Sequence, residues 1–308
     1  MRLSVEHPET TSVARLVSLA RDAETRGFDT MFVGAAFGFD PLMALVACAG
    51  ATTTARLGTA VVPTWPRHPV VLAQQALNAQ AVSGGRVRLG VGVSHAPVMR
   101  MFGVDFDRPL AHAREYLTIL RSLLHEGKVK HRGRQYSVAA AVAVDDASVP
   151  PPILLAALRP RMARLAGELS DGVIPWLAPA SYLHEVLMPA VRDGADHAGR
   201  AVPPLVASVP VVFATSADEA LARVSRDLAI YPHMPFYRAL FADAGVGVPD
   251  DSTWTFDMLD AAVVWGDAAA VTQGLQAYFD AGASEVICSP FGPPELLDHL
   301  AMLCRESQ

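Results

Sequence analysis

Short apolar runs rich in Val, Ile and Leu alternate along the chain with longer stretches in which apolar residues recur every three to four positions. RLSV (2–5) leads into TTSVARLVSLARDAETRG, FDTMFVG (28–34) into DPLMALVACAGATT, RLGTAVV (56–62) into HPVVLAQQALNAQAVSGG, and RVRLGVGV (86–93) into RPLAHAREYLTILRSLLHEG. The alternation resumes with PPILLAAL (151–158), GVIPWL (172–177), PLVASVPVVFAT (204–215) and SEVICSP (284–290), each with a helical pattern behind it. Apolar runs of this kind, without clean in–out alternation, fit parallel strands covered by helices. Eight strand–helix units in one chain of 308 residues predict a single α/β domain over 1–308, a closed (β/α)8 TIM barrel. Asp40-Pro41 and Ser216 read as helix starts, and Gly27, Gly127 and the Gly199 region as stops. Two segments exceed the repeating unit. Residues 127–150 read as a hairpin insertion after the fourth unit, and 231–265 as an aromatic-rich excursion before the eighth strand.

Composition supports a large core, since 51% of residues are hydrophobic and 18% charged. No apolar run reaches the ~18–20 residues of a membrane span, and the N-terminus lacks the pattern of a signal peptide, so a soluble cytoplasmic protein is expected. Cys48, Cys288 and Cys304 have no metal-like or CxxC spacing and read as reduced packing positions. His125 and His131 lack ligand spacing as well, so no metal is expected. With a net charge of −6 and one short basic run, KVKHRGR at 128–134, the chain is not expected to bind nucleic acid. Neither a GxSxG nor a P-loop is present.

A barrel builds its active site from the C-terminal ends of its strands. After the third strand, VVPTWPRHP makes either a rigid pocket wall or a stiff connection around a core Trp; the wall is expected, with Trp65 as aromatic surface and Arg67 or His68 as polar contacts to substrate. After the fourth, His95 follows GVGVS directly, where an imidazole serves either as acid–base group or as a hydrogen-bonded neighbour; the catalytic role is expected. Gly90 and Gly92 admit a ligand close to the backbone. After the fifth, LRPRM opens a helix whose N-terminus favours an anion such as phosphate, with Arg159 and Arg161 either adding cationic forks or standing solvated.

Together, ARDAETRGFDTMFV, LGTAVVPTWPRHPVVLAQQALNAQAVSGGRVRLGVGVSH, MFGVDFDRPLAHAREYLTILRSLLHEG, LLAALRPRMARLAGELSDG and VLMPAVRDGADHAGR resemble the bacterial luciferase-like superfamily, specifically its coenzyme F420-dependent oxidoreductases from actinobacteria. The resemblance implies a barrel with the deazaflavin across its C-terminal face and a non-prolyl cis peptide near Ala60-Val61 behind the central ring. It implies that Ala35, Gly92, Val93 and Ser94 flank the cofactor, that the turn Ala157, Leu158, Arg159, Pro160, Arg161 and Met162 holds its phosphate, and that His95 is catalytic. Substrate walls would come from Phe37, Trp65, Trp176 and the aromatic excursion. The chain departs from the family at Gly34 to Phe37, where relatives carry polar groups, and at Arg159, where they carry glycine and where the side chain either grips the phosphate or fills its space. The expected function is hydride transfer between F420 and a small unsaturated (C=C, C=N or carbonyl) substrate. The alternatives are an FMN-dependent monooxygenase and a cofactor-free derivative that binds a small molecule or catalyses a non-redox step. A homodimer is the assembly the resemblance implies.

Overall fold

A computed structural model describes residues 1–7, 11–34 and 38–306. Ala35 and Phe37, expected at the cofactor and at the substrate, lie outside the described residues.

Each of the eight expected strands forms. They are β1 (Leu3–Glu6), β2 (Thr30–Val33), β3 (Arg56–Thr59) with its short continuation β4 (Val62–Pro63), β5 (Val87–Gly92), then, beyond a hairpin of β6 (Lys128–Arg132) and β7 (Ser137–Ala141), β8 (Ile153–Ala156), β9 (Gly172–Ile174), β10 (Leu205–Phe213) and β12 (Ala283–Pro290). Parallel pairing runs β1-β2-β3-β5-β8-β9, and β9 to β10, β10 to β12 and β12 to β1 close the ring. The antiparallel hairpin occupies the first expected insertion. The second expectation needs a correction: the segment ends in a further strand, β11 (Val264–Gly266), parallel to the outer half of β10. Three residues ending in Gly carry too little alternation to read as a strand in sequence.

The helices follow the apolar periodicity: α1 (Val13–Arg26), α2 (Pro41–Ala49), α3 (Pro69–Ser83), α4 (Ala96–Met101), α5 (Pro109–Glu126), α6 (Pro160–Leu169), α7 (Ala180–Tyr182) running through a π turn (Leu183–Leu187) into α8 (Met188–His197), α9 (Ala217–Asp227), α10 (Pro235–Asp243), α11 (Phe256–Ala262), α12 (Ala268–Asp280) and α13 (Pro294–Glu306). The side chains of Asp40 and Ser216 accept from the Met43 and Glu219 amides at the starts of α2 and α9, an arrangement that stabilises a helix by about 1 kcal/mol. Gly27 and Gly127 end α1 and α5 with positive φ, as expected of stop signals.

Alternate residues of the strands face the helices and the barrel interior. Leu3 and Val5 join the large core beneath the helices, whereas Ser4 and Glu6 point inward; likewise Val286 and Cys288 face outward between Glu285, Ile287 and Ser289. Three interior layers result. At the N-terminal end, the Arg88 guanidinium donates to both Glu285 carboxylate oxygens at 2.7 Å and to Thr30 Oγ1 at 3.0 Å, while Ser4 Oγ donates to Glu285 at 2.5 Å. Phe32, Leu154, Ile174, Val206 and Ile287 fill the middle. Gly58 makes room for Phe32, since a Cβ there would stand 2.4 Å from its ring, and burying that ring contributes roughly 1.5–3 kcal/mol. Above this seal, small and polar residues leave the C-terminal end open.

Candidate active site

The open end is a cavity of about 840 Å³. Its wall is built from strand ends: Glu6 of β1, Gly34 beyond β2, Ala60 and Val61 beyond β3, Ala156 of β8, Ser208 of β10 and Ser289 of β12 all line it. The peptide bond Ala60-Val61 is cis, at the position the resemblance implies.

Sequence reasoning missed Glu6. The residue is 9% exposed, and its carboxyl accepts from Ser289 Oγ at 3.3 Å and from the Gly34 amide. Burial pushes its pKa up to about 7, against the pull of those two donors, and no cation pairs with it among the described residues. Gly34 permits this contact, because a Cβ there would lie 2.2 Å from Glu6 Oε1. The signal was legible: Ser4 and Glu6 are polar residues two apart in an otherwise apolar strand, which puts both on the inner face.

His95 stands where expected. Ser94, at φ 60°, turns the chain at the end of β5, and His95 then precedes α4. Its ring lies 5.4 Å from Tyr237 and 6.3 Å from Phe236, between centroids. Burial lowers its pKa, so the imidazole is neutral around pH 7, and its Nδ1 is buried without a partner among the described residues. Ser208 Oγ, also on the cavity wall, is a second buried polar atom without a partner among the described residues. Such atoms mark places where a polar ligand completes the hydrogen bonding.

Val93, Ser94, Leu158, Arg159, Arg161, Met162 and Trp176 line the cavity with His95. Gly92, Ala157 and Pro160 do not: a Cβ on Gly92 would meet Val61 and Ala156 at 2.9 Å, so protein takes up that space. At the start of α6, Arg159 pairs with Asp243 of α10 at 2.8 Å, while Arg161 is exposed at the rim. Arg159 thus neither fills the phosphate position alone nor stands free for it.

The TWPRHP turn requires the clearest correction. Pro63 lines the cavity, but Trp65, Arg67 and His68 do not. Trp65 stacks on His112 of α5 at 3.6 Å and 9°, Arg67 reaches Asp40 at 2.5 Å, and His68 caps α3 by accepting from the Val70 amide. Trp65 and Arg67 are held by partners from other parts of the chain and His68 by the helix it begins, all away from the cavity. The aromatic wall comes instead from 231–243: Tyr231, Phe236 and Tyr237 line the cavity, with Tyr231 4.8 Å from Tyr237 and 6.0 Å from Trp176. Trp254 anchors this segment, donating from Nε1 to Leu228 O at 2.9 Å.

The cavity suits a planar ring system with an anionic arm. Val61, Val93 and Ala156 give an apolar surface, Ser208 and His95 offer free polar atoms, and the N-terminus of α6 with Arg161 provides positive potential. Among the described residues no group of His, Cys, Asp and Glu could hold a metal, and no helix is long and apolar enough to cross a membrane.

Comparison with known proteins agrees with this architecture. The chain is 27% identical to the 5,10-methylenetetrahydromethanopterin reductase of Methanolobus tindarius over 95% of each chain, and 27% identical to the F420-dependent glucose-6-phosphate dehydrogenase of Kineococcus radiotolerans over 89% of this chain and 86% of that one. Among solved structures, an F420-dependent secondary alcohol dehydrogenase in complex with an F420-acetone adduct superposes with a TM-score of 0.82 at 18% identity, covering 98% of this chain and 97% of that one. The model of the luciferase-like monooxygenase family matches residues 1–285, and with its closed barrel and open C-terminal cavity the chain belongs to that family.

Proposed function

We propose that the protein is an oxidoreductase that uses coenzyme F420 to move a hydride to or from a small unsaturated organic substrate with a C=C, C=N or carbonyl group. One observation carries this reading: a single cavity holds an apolar ring-sized wall, an anion-attracting helix start and a carboxyl poised near neutrality. The F420 dependence named for the relatives supports the choice of cofactor. Bound there, reduced F420 supplies the hydride; the protein supplies position and protons.

Ala60, Val61, Val93 and Ser94 back the ring, and Leu158, Arg161 and Met162 with the α6 amides hold the phosphate arm. Arg159 joins them once Asp243 yields. Glu6, with its pKa raised to about 7, keeps a proton to give at neutral pH, whereas His95, neutral there, suits accepting one in the reverse direction. Trp176, Tyr231, Phe236 and Tyr237 pack on the substrate and exclude water.

Fluorescence titration with coenzyme F420 and, separately, FMN in anaerobic buffer tests the reading. Saturable micromolar binding of F420, with oxygen-free oxidation of reduced F420 by an enone, imine or ketone, is the expected result. Binding of FMN alone, with product only in oxygen, overturns it in favour of a monooxygenase. Binding of neither overturns it in favour of cofactor-free chemistry.

A further inference from the structure

The start of α6 carries positive potential into the cavity, but it does not stand alone. Arg159, which caps that helix, meets Asp243, the last residue of α10, at 2.8 Å. An acid at a helix C-terminus is opposed by the helix dipole, so α10 by itself gives no reason for a carboxylate there. The pair with Arg159 does. The guanidinium is not used up: its Nη1 is buried and closes no aligned hydrogen bond on Asp243, so the pair offsets charge without saturating the donor. The turn itself is fixed, since the Tyr182 hydroxyl donates to Leu158 O at 2.8 Å.

Two helix ends of opposite sign therefore share one turn. The start of α6 with Arg159 and Arg161 is offset by Asp243 and the end of α10, which leaves roughly one positive charge. The other carboxylates of the cavity wall do not alter this balance. Asp227 pairs with Arg223 and Arg226, and Glu6 ends β1, four places around the ring from the strand that feeds α6. A turn so balanced suits an anion of one charge, and a second charge meets the Asp243 carboxylate with no cation left to offset it.

Resting on the reductase reading, we infer that Asp243 makes the turn at Arg159 selective for a phosphodiester, which carries one negative charge, over a phosphomonoester, which carries close to two at neutral pH. F420 joins its ring fragment to its acidic tail through a phosphodiester, whereas FMN ends in a phosphomonoester. The residue that offsets Arg159 thus sets the choice between the two cofactors, by repelling the wrong one as much as by admitting the right one. Asp243 belongs to the same helix as Phe236 and Tyr237, so one segment shapes the substrate wall and filters the cofactor.

The test compares two ligands with one ring: the ring-and-ribityl fragment of F420 as its terminal phosphate, and the methyl ester of that phosphate, which differ by one charge at about pH 8. Calorimetric titration at low ionic strength should show the ester binding about fivefold tighter or more, with the preference shrinking in about 0.5 M salt and lost or inverted in Asp243→Asn. Urea unfolding of the variant checks that it folds as its parent does, and the salt series reads the same charge effect in the unmodified protein. Equal affinities, a tighter monoester, binding of neither ligand, or a preference that persists in Asp243→Asn overturn the inference. Anaerobic oxidation of reduced F420 by an enone, imine or ketone is read in the same preparations. If F420 is turned over and no charge preference is found, this inference falls and the reductase reading stands; if the preference appears and reduced F420 is not consumed, the phosphodiester site stands and the reductase reading falls.

Discussion

Both ends of the barrel interior bury a glutamate, and the two are treated in opposite ways. At the N-terminal end, Glu285 is 1% exposed and saturated, taking two bonds from Arg88 and one from Ser4. At the C-terminal end, Glu6 has two neutral donors and a cavity in front of it. The first carboxylate is finished by the fold, and its removal is a matter of stability. The second is left incomplete, and the fold tolerates an acid that would rather keep its proton.

The sharpest way to break this comparison is at the closed end. Arg88→Met leaves buried Glu285 with only the longer contact to Arg2 at 3.8 Å and should cost about 3 kcal/mol in urea unfolding, with Glu285→Gln in the same chain restoring part of it. At the open end the sign reverses. Glu6 has its folded pKa raised from 4.5 to about 7, so its contribution is fully present below pH 4.5 and is lost as pH rises through about 7. Glu6→Gln should remove that decline and gain about 2–3 kcal/mol at about pH 8, measured as urea midpoints on both sides of neutrality, while turnover falls. A Glu6→Gln chain less stable than its parent at high pH would end the contrast between the two carboxyls.

Smaller effects sharpen it. Ser289→Ala withdraws a donor that holds the Glu6 pKa down, so the fall in stability should extend to higher pH from the same onset, at a cost of about 1 kcal/mol where Glu6 is ionised. Asp243→Asn should change stability by less than about 1 kcal/mol, because its pair with Arg159 is partly solvated. It should also tighten F420 binding in a fluorescence titration by freeing that guanidinium; unchanged or weaker binding would exclude Arg159 from the phosphate site.

The fold was legible because the eight strands carry apolar runs that only a covered parallel sheet explains, and because caps such as Asp40 and Gly127 mark their helices by local chemistry. His95 and the LRPRM turn were legible for a related reason, since a strand end in a barrel is a fixed address. Trp65, Arg67 and His68 share that address but turn away, drawn to His112, Asp40 and the α3 amides. The partners of Trp65 and Arg67 come from other elements and no local pattern announces them, whereas His68 is turned by the start of its own helix. Glu6 was missed for the opposite reason: its period-two relation to Ser4 was visible, but its meaning depends on Gly34 and Ser289, distant in sequence and adjacent only in the closed ring.

The short pairing of Val264–Gly266 along Val211–Phe213 has a consequence for how this protein can diverge. It stitches both margins of the aromatic segment to one strand, so that a loop of some fifty residues leaves and rejoins the scaffold at neighbouring points. Chain held in that manner behaves as a cassette. Its length and side chains can be exchanged while the ring beneath keeps its hydrogen bonds, and substrate range becomes a property of the insert more than of the barrel that carries it.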